Sequence, residues 1–438
     1  MIKELKRIHN LAIPIYLSFL VGVVFSLADN IIIGQYNVID YAIVTIIGSL
    51  IYYVTGSIGA YSIALTLKGS PLIQKAKFEE YSSLFSTALA LGIIISIGFV
   101  LLTITLGKPF LSEVLLIDKN RLEKAFYFLC IISLTVPLNI FIFSFSSYFR
   151  TIEKAKILTF SSICSSTINI VVNLILVFGL FGLPKLGAIG IAIGSVSGLM
   201  VGLIMFIATF FYDGRVKLKI TFDRTQSKEL MRLFTNLFFQ DLFEFTIFFF
   251  VVYSVISSLG TTEAAIFGVL NISFSAFLMS SHAYGSALTV LVKKAECNLG
   301  LINRYWGICI VSLLALWITY TLAISVSGSI VPNIITSDTV VTNGFIQILW
   351  FFGIYQLIAG CSNIFRATIN GLGHENFALR ACIAVFTTCS LILYVAKNSN
   401  DFTLHGILVY LVFSYSSFGT VLIIKMISIS SQKNTLAI

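Results

Sequence analysis

Charge is what this chain has least of. Lys, Arg, Asp and Glu make up 11% of its 438 residues, where a soluble protein carries about 25%. Hydrophobic residues make up 58%, and no water-soluble fold has the interior to hide that much apolar surface. There is no Gly-rich phosphate loop, no Walker lysine and no HExxH, so nothing points to nucleotide hydrolysis, and an enzyme is not expected. The seven cysteines (Cys130, Cys164, Cys297, Cys309, Cys361, Cys382, Cys389) are scattered, with no metal-ligand or disulfide spacing. They read as small packing residues. The first apolar stretch is too long for a signal-peptide core and has no small-residue cleavage site after it, so it reads as a retained helix. What these absences leave is an all-α polytopic membrane protein.

Long apolar runs are what the chain has in quantity. A helix needs about 20 apolar residues to cross the hydrocarbon core. Such runs fall near 11–34, 42–67, 81–107, 124–148, 157–180, 187–211, 231–259, 262–290, 303–328, 344–369, 377–396 and 403–427. That makes twelve, several of them longer than the core requires and so expected to tilt or project. With the N-terminus placed inside, the inner segments carry 22 of the 28 basic residues, from Lys3 to Lys433. The outer ones keep Lys108, Lys119, Arg121, Lys124, Lys185 and Lys397. A miscounted span would scramble this asymmetry, so twelve helices with both termini in the cytoplasm is the expected topology. The net charge of +9 is read as that topology signal, and no nucleic-acid partner is needed to explain it.

The chain also repeats. The basic polar segment 212–230, "YDGRVKLKITFDRTQSKEL", divides the spans six and six. The expected organisation is an N-lobe over 1–211, a linker over 212–230 and a C-lobe over 231–438. "SSYFRTIEKAKI" follows the fourth span and "CSNIFRATINGLGHENF" the tenth, each with an Arg at a helix end and then a polar turn. Even-numbered halves keep one orientation. They imply two six-helix bundles related by a pseudo-two-fold along the membrane normal, with a central cavity between them.

Three acidic residues fall well inside the spans: Asp29, Asp241 and Glu244. An intramembrane carboxylate costs several kcal/mol unless it is paired, protonated, bound to a cation or wetted by a cavity. That points to ion-coupled transport, although Asp29 also reads as a carboxylate solvated at the outer headgroups. Asp241 and Glu244, three apart, share a helix face, with Gln240 beside them. Two carboxylates that close cannot both ionise cheaply: one must hold a proton or a cation must sit between them. Alternatively the pair lies near the inner interface, since Arg232 is about two turns away. Asn169 and Asn173 are one turn apart on the fifth span, either cation ligands or helix–helix glue. Ser195 on the sixth is a weaker candidate of the same kind. His282 reads first as a packing residue and second as a group titrating near neutral pH. Pro14 and Pro137 are candidate kinks. Phe238, Phe239, Phe243 and Phe245 surround the acidic pair, and aromatic faces with carboxylates suit lipophilic cations.

The opening "LAIPIYLSFLVGVVFSLADNIIIG" carries Pro14, Asp29 and Gly34, and "NIVVNLILVFGLFGLPKLGAIGIAIGSVS" covers 169–197. With the two arginine-turn segments, these resemble the multidrug and toxic compound extrusion (MATE) family over nearly the whole chain. The resemblance implies a V-shaped pair of bundles that alternates between inward and outward openings. It implies export of organic, often cationic, compounds driven by inward H⁺ or Na⁺. It carries to Asp29 as the N-lobe coupling carboxylate, to Asn169 as its fifth-helix partner, to Ser195 as a hydroxyl ligand where members often have Thr, and to Glu244 as the seventh-helix acid of the NorM branch. Two positions depart from the pattern: Asn173 stands where many members have Asp, and Ala359 where the NorM branch has Asp. The expectation is a monomeric inner-membrane antiporter without cofactor, taking a small organic substrate and contacting membrane lipid, with Na⁺ at Asp29 as the one metal candidate. The alternative is a flippase or exporter of a lipid-linked saccharide or a dedicated metabolite.

Overall fold

A computed structural model describes residues 2–218, 222–295, 298–336, 338–397 and 403–436, and every regular element among them is helical. Among the described residues, twelve helices are long and apolar enough to cross a membrane. They are α1 Ile2–Tyr36, α2 Ile39–Gln74, α3 Phe78–Val114, α4 Lys119–Thr151, α5 Lys156–Phe178, α6 Ala188–Asp213, α7 Arg224–Leu259, α8 Thr261–Lys294, α9 Leu299–Ser327, α10 Thr339–Gly371, α11 Glu375–Ala396 and α12 Leu404–Ile429. Each expected span has its helix, and most helices run beyond the apolar stretch that announced them. Of the two candidate kinks, Pro137 coincides with a break at Leu134 in α4. A proline ring clashes with the carbonyl four residues back and offers it no N–H. Pro14 leaves α1 continuous. The six described cysteines are free; Cys297 lies outside the described residues.

Two compact units make up the chain, Leu17–Phe238 and Met1–Tyr16 with Phe239–Ile438. The division was expected at the 212–230 linker. The structure instead puts both crossings inside helices, α1 and α7. The described linker residues belong with the first unit. Ser82 donates to the Lys217 carbonyl, the Asp223 amide donates to Thr87 Oγ1 at 3.1 Å, and Lys68 pairs with Glu229. Leu230 and Leu237 are buried there, and Phe234 packs edge-on against Tyr61.

The 17–238 unit is built around an aromatic cluster and a glycine seam. Tyr81, Phe85, Phe145, Tyr148 and Phe210 are fully or nearly fully buried against one another. Along α6, Gly190, Gly194, Gly198 and Gly202 recur every four residues and face α5. Small residues at that spacing let two backbones approach closely within a membrane. At the N-terminal end of α6, Gly187 has φ +55, a region where side chains are strained. A Cβ there would collide with Asp40 Oδ2 and come within 2.6 Å of Tyr36 Cε1. The space is taken because Asp40, 2% exposed, accepts from the Ala188 amide at 3.0 Å and pairs with Lys124 Nζ at 2.6 Å. One carboxylate thus fastens α2, α4 and the positive end of α6. Asp40→Ala should lose about 2–3 kcal/mol, the worth of hydrogen bonds to a charged group. Asp40→Asn should lose less because it keeps an acceptor for Ala188. Thermal unfolding of the two variants checks the order, and equal Tm values would sink it.

The other unit receives the start of α1. Ile8, Leu11, Ala12 and Ile15, the i, i+3, i+4, i+7 face, are all buried. Arg7 donates to Tyr305 Oη at 3.2 Å, and Arg304 lies 3.6 Å from Glu4. His9 packs edge-on against Tyr284, with Nε2 3.3 Å from Ser312 Oγ.

Candidate functional site

The four residues expected around the coupling ion form one continuous chain of contacts, all within the 17–238 unit. Asn173 Nδ2 donates to Asp29 Oδ1 at 2.7 Å and to Asn169 Oδ1 at 3.3 Å. Asn169 Nδ2 donates in turn to Ser195 Oγ at 3.3 Å. Asn173 is fully buried and Asn169 nearly so, while Asp29 is part-buried. Helical spacing explains the alignment, since positions 169 and 173 lie one turn apart on α5 and present their amides in a row. The glycine seam explains the depth. A Cβ on Gly194 would fall on Asn173 Oδ1 and stand 3.0 Å from the Asn169 carbonyl oxygen. The missing side chain at 194 is therefore what lets Asn173 lie flat against α6 with its amide toward α1.

No basic residue among the described residues pairs with Asp29, and its partner is a neutral amide. A neutral amide stabilises either form of the acid. Its NH₂ donates to a carboxylate, and turned over, its carbonyl accepts from a carboxylic acid. Asn173 Oδ1 is buried without a hydrogen-bond partner, which leaves that acceptor in reserve. Asp29, Asn169 and Ser195 also supply oxygens of the kind that ligate small hard cations.

The second acidic group lies within the 239–438 unit. Asp241 and Glu244 do share a face, as their spacing required. The cation between them belongs to the protein: Arg366 Nη1 on α10 stands 2.9 Å from Asp241 Oδ1 and 2.9 Å from Glu244 Oε2. Gln240 does not join this cluster. It exchanges hydrogen bonds with Asn370 and donates to the Glu375 carbonyl at 3.1 Å. α7 changes winding here, with a π-helical segment over Leu242–Phe248, a device frequent at functional sites. Asn363, Arg366 and Asn370 on α10 thus meet α7 in a polar seam.

Arg366 and Arg150 were both read as topology charges at helix ends. Both side chains are buried, each residue 7% exposed. Arg150 donates to Ser62 Oγ and to the Ser146 carbonyl, and Arg366 faces a pair of carboxylates. The positive-inside rule counts charges and is blind to where a long side chain folds back. The sequence signal that could have found Arg366 is the Arg–Asn spacing at 363, 366 and 370, which puts all three on one helical face.

A small cavity of ≈ 10 Å³ adjoins Glu244, lined among others by Phe245, Ser281, His282, Tyr355, Ala359 and Asn363. Ala359, which stands where the resemblance implied an Asp, is on its wall. His282 is a lining residue packed edge-on against Phe245. Of the four phenylalanines expected around the pair, Phe245 takes that place. Phe238 falls in the other unit, packing against Phe234, and Phe239 is exposed.

Comparison with known proteins agrees with this architecture. The MatE family model matches residues 14–175. The chain is 24% identical over 444 residues to the Probable multidrug resistance protein NorM of Bacillus thuringiensis subsp. konkukian, covering 99% of this chain and 97% of that one. It is 25% identical over 392 residues to the multidrug resistance protein NorM of Vibrio cholerae, covering 84% and 82%. A solved outward-facing multidrug resistance MATE family transporter of the MOP superfamily superposes with a TM-score of 0.87 at 17% identity, over 98% of this chain and 97% of that one. A MOP superfamily transporter from Pyrococcus furiosus, described as having a binding pocket of reverse polarity, superposes equally well, again at 17% identity over 98% and 97%. The chain therefore has the twelve-helix fold of the MATE transporter structures, and the MatE model matches its opening five helices.

Proposed function

We propose that this MatE-domain membrane protein is a secondary antiporter that exports organic compounds in exchange for H⁺ or Na⁺, with Asp29 as the carboxylate that takes the ion. The observation that carries the reading is the setting of Asp29: an acid within the apolar stretch of α1 whose partner is a neutral amide. An ionised carboxylate there costs several kcal/mol that a proton or cation removes. Ion binding thereby acquires the energy to shift α1, while Asn173, Asn169 and Ser195 serve as the ligand or hydrogen-bond set. The names of the relatives supply the cargo class, small organic compounds of the multidrug type. The distribution of basic residues supports an inner-membrane location with both termini in the cytoplasm. No cofactor beyond the coupling ion enters the scheme, and a monomer suffices for it.

The test is efflux of a lipophilic dye cation from proteoliposomes, with a pH gradient and a sodium gradient imposed separately. Movement driven by one gradient names the ion and supports the reading. If neither gradient moves any cation, drug export is the wrong cargo class. A lipid-linked saccharide or a dedicated metabolite then takes its place.

A further inference from the structure

The contacts of Arg366 have the pattern of a bound ion. A guanidinium that recognises one carboxylate usually does so through two parallel N–H groups. Here a single nitrogen, Nη1, faces two carboxylates that lie on successive turns of α7. Only the Asp241 contact has hydrogen-bond geometry; Glu244 Oε2 is buried without a hydrogen bond, so its 2.9 Å contact is one of charge. Nη2 donates to Asn363 Oδ1 at 3.1 Å, and the Phe245 ring centroid lies 5.4 Å from the guanidinium carbon, within cation–π range. Two carboxylates, an amide carbonyl and an aromatic face are what a monovalent organic cation would find here.

We infer that Arg366 is a tethered counter-cation that closes the acidic pair of the 239–438 unit to Na⁺ and to small organic cations. The adjoining cavity is at the lower limit for one water molecule, too small for a hydrated ion beside the guanidinium. Alanine at 359 offers no third carboxylate on that wall. On the antiporter reading, on which this last step rests, Na⁺ or organic-cation binding by one of the three intramembrane acids is left to Asp29. Arg366 is then a specificity residue, making the second unit a pre-filled site.

The probe is guanidinium chloride at low millimolar concentration, with choline chloride matching ionic strength, and the readout is Tm of the purified full-length chain. Wild type should show no saturable shift. Arg366→Ala should unfold at lower temperature, and guanidinium should raise its Tm saturably by a few degrees, as a ligand of the native state does. Adding Glu244→Gln and Asp241→Asn should remove that rise. An equal response in wild type and Arg366→Ala would overturn the inference, as would a rise that survives loss of both carboxylates. Should Arg366→Ala fail to fold, Arg366→Met with Asp241→Asn and Glu244→Gln should fold with near wild-type Tm, because a fully neutral buried set needs no counter-charge. A triple variant as unstable as Arg366→Met alone would also overturn it. None of these measurements uses transport, so failure of dye efflux would count against the antiporter reading and leave this result standing.

Discussion

Asp29→Asn should reduce gradient-driven efflux to the level of protein-free vesicles while leaving the fold intact. Asparagine has nearly the shape of aspartate, so packing in α1 is kept. The charge that costs several kcal/mol in an apolar setting is gone, so Tm should be equal to or above wild type. What is lost is the group whose occupancy changes. With no site for the ion, the membrane potential's contribution of about 2.3 kcal/mol per charge per 100 mV, roughly a 50-fold accumulation ratio, no longer reaches the cargo. Asp29→Glu should fall between the two. It keeps the acid but adds a methylene where Asn173 already stands 2.7 Å away. The measurement is initial efflux rate under whichever gradient drives wild type, paired with thermal unfolding. Wild-type efflux by Asp29→Asn would remove Asp29 from the coupling step.

The second large effect is expected at a residue with no side chain. Gly194→Ala should impair transport at least tenfold, because its Cβ would occupy the position of Asn173 Oδ1 and crowd the Asn169 carbonyl oxygen at 3.0 Å. The Asn173 side chain would have to leave Asp29, and a backbone carbonyl cannot be moved cheaply. Overpacking of this kind typically costs about 1–3 kcal/mol. Gly198→Ala should lose similar stability, since its Cβ would stand 2.5 Å from the Ser165 carbonyl oxygen and 2.9 Å from Asn169 Cβ, but less transport, as neither collision touches the Asn173 amide that bonds Asp29. Gly98→Ala on α3, with no atom within 4 Å of its Cβ, should be silent in both assays. Asn173→Ala combined with Gly194→Ala should recover part of the stability and none of the transport. Equal efflux by Gly194→Ala and Gly98→Ala would show that the seam does not position the site.

Asp29, Asn169, Asn173 and Ser195 could each be singled out in the sequence by the scarcity of polar residues in apolar helices, while joining them into one group rested on the resemblance to the MATE family. A polar side chain in such a helix has few places to go. The pairing of Asp241 with Glu244 was legible for a related reason, as helical spacing alone fixes a shared face. Arg366 was not legible as their partner: an arginine at a helix end satisfies a topology rule whether its head group is solvated or folded back. Gln240 was misplaced by one turn because neighbouring polar residues on α7 meet successive turns of α10, and adjacency in sequence says nothing of which turn each one meets. The role of Gly194 was hidden because glycine carries no chemistry. Only its four-residue recurrence with Gly190, Gly198 and Gly202 marks it.

The two crossings inside α1 and α7 set the unit of inheritance apart from the unit of folding. A repeat read from the sequence runs from the start of its leading helix to the end of its sixth. The unit that folds around Asp29 instead borrows Phe234 and Leu237 from the second repeat, and the unit around Arg366 borrows Ile8, Leu11, Ala12 and Ile15 from the first. The exchange is reciprocal, each repeat lending the opening of its first helix. Either repeat made alone would leave apolar surface bare and a core unfilled, so a truncated gene product has no stable half to fall back on. The halves are heirs to a repeated sequence but are no longer separable parts.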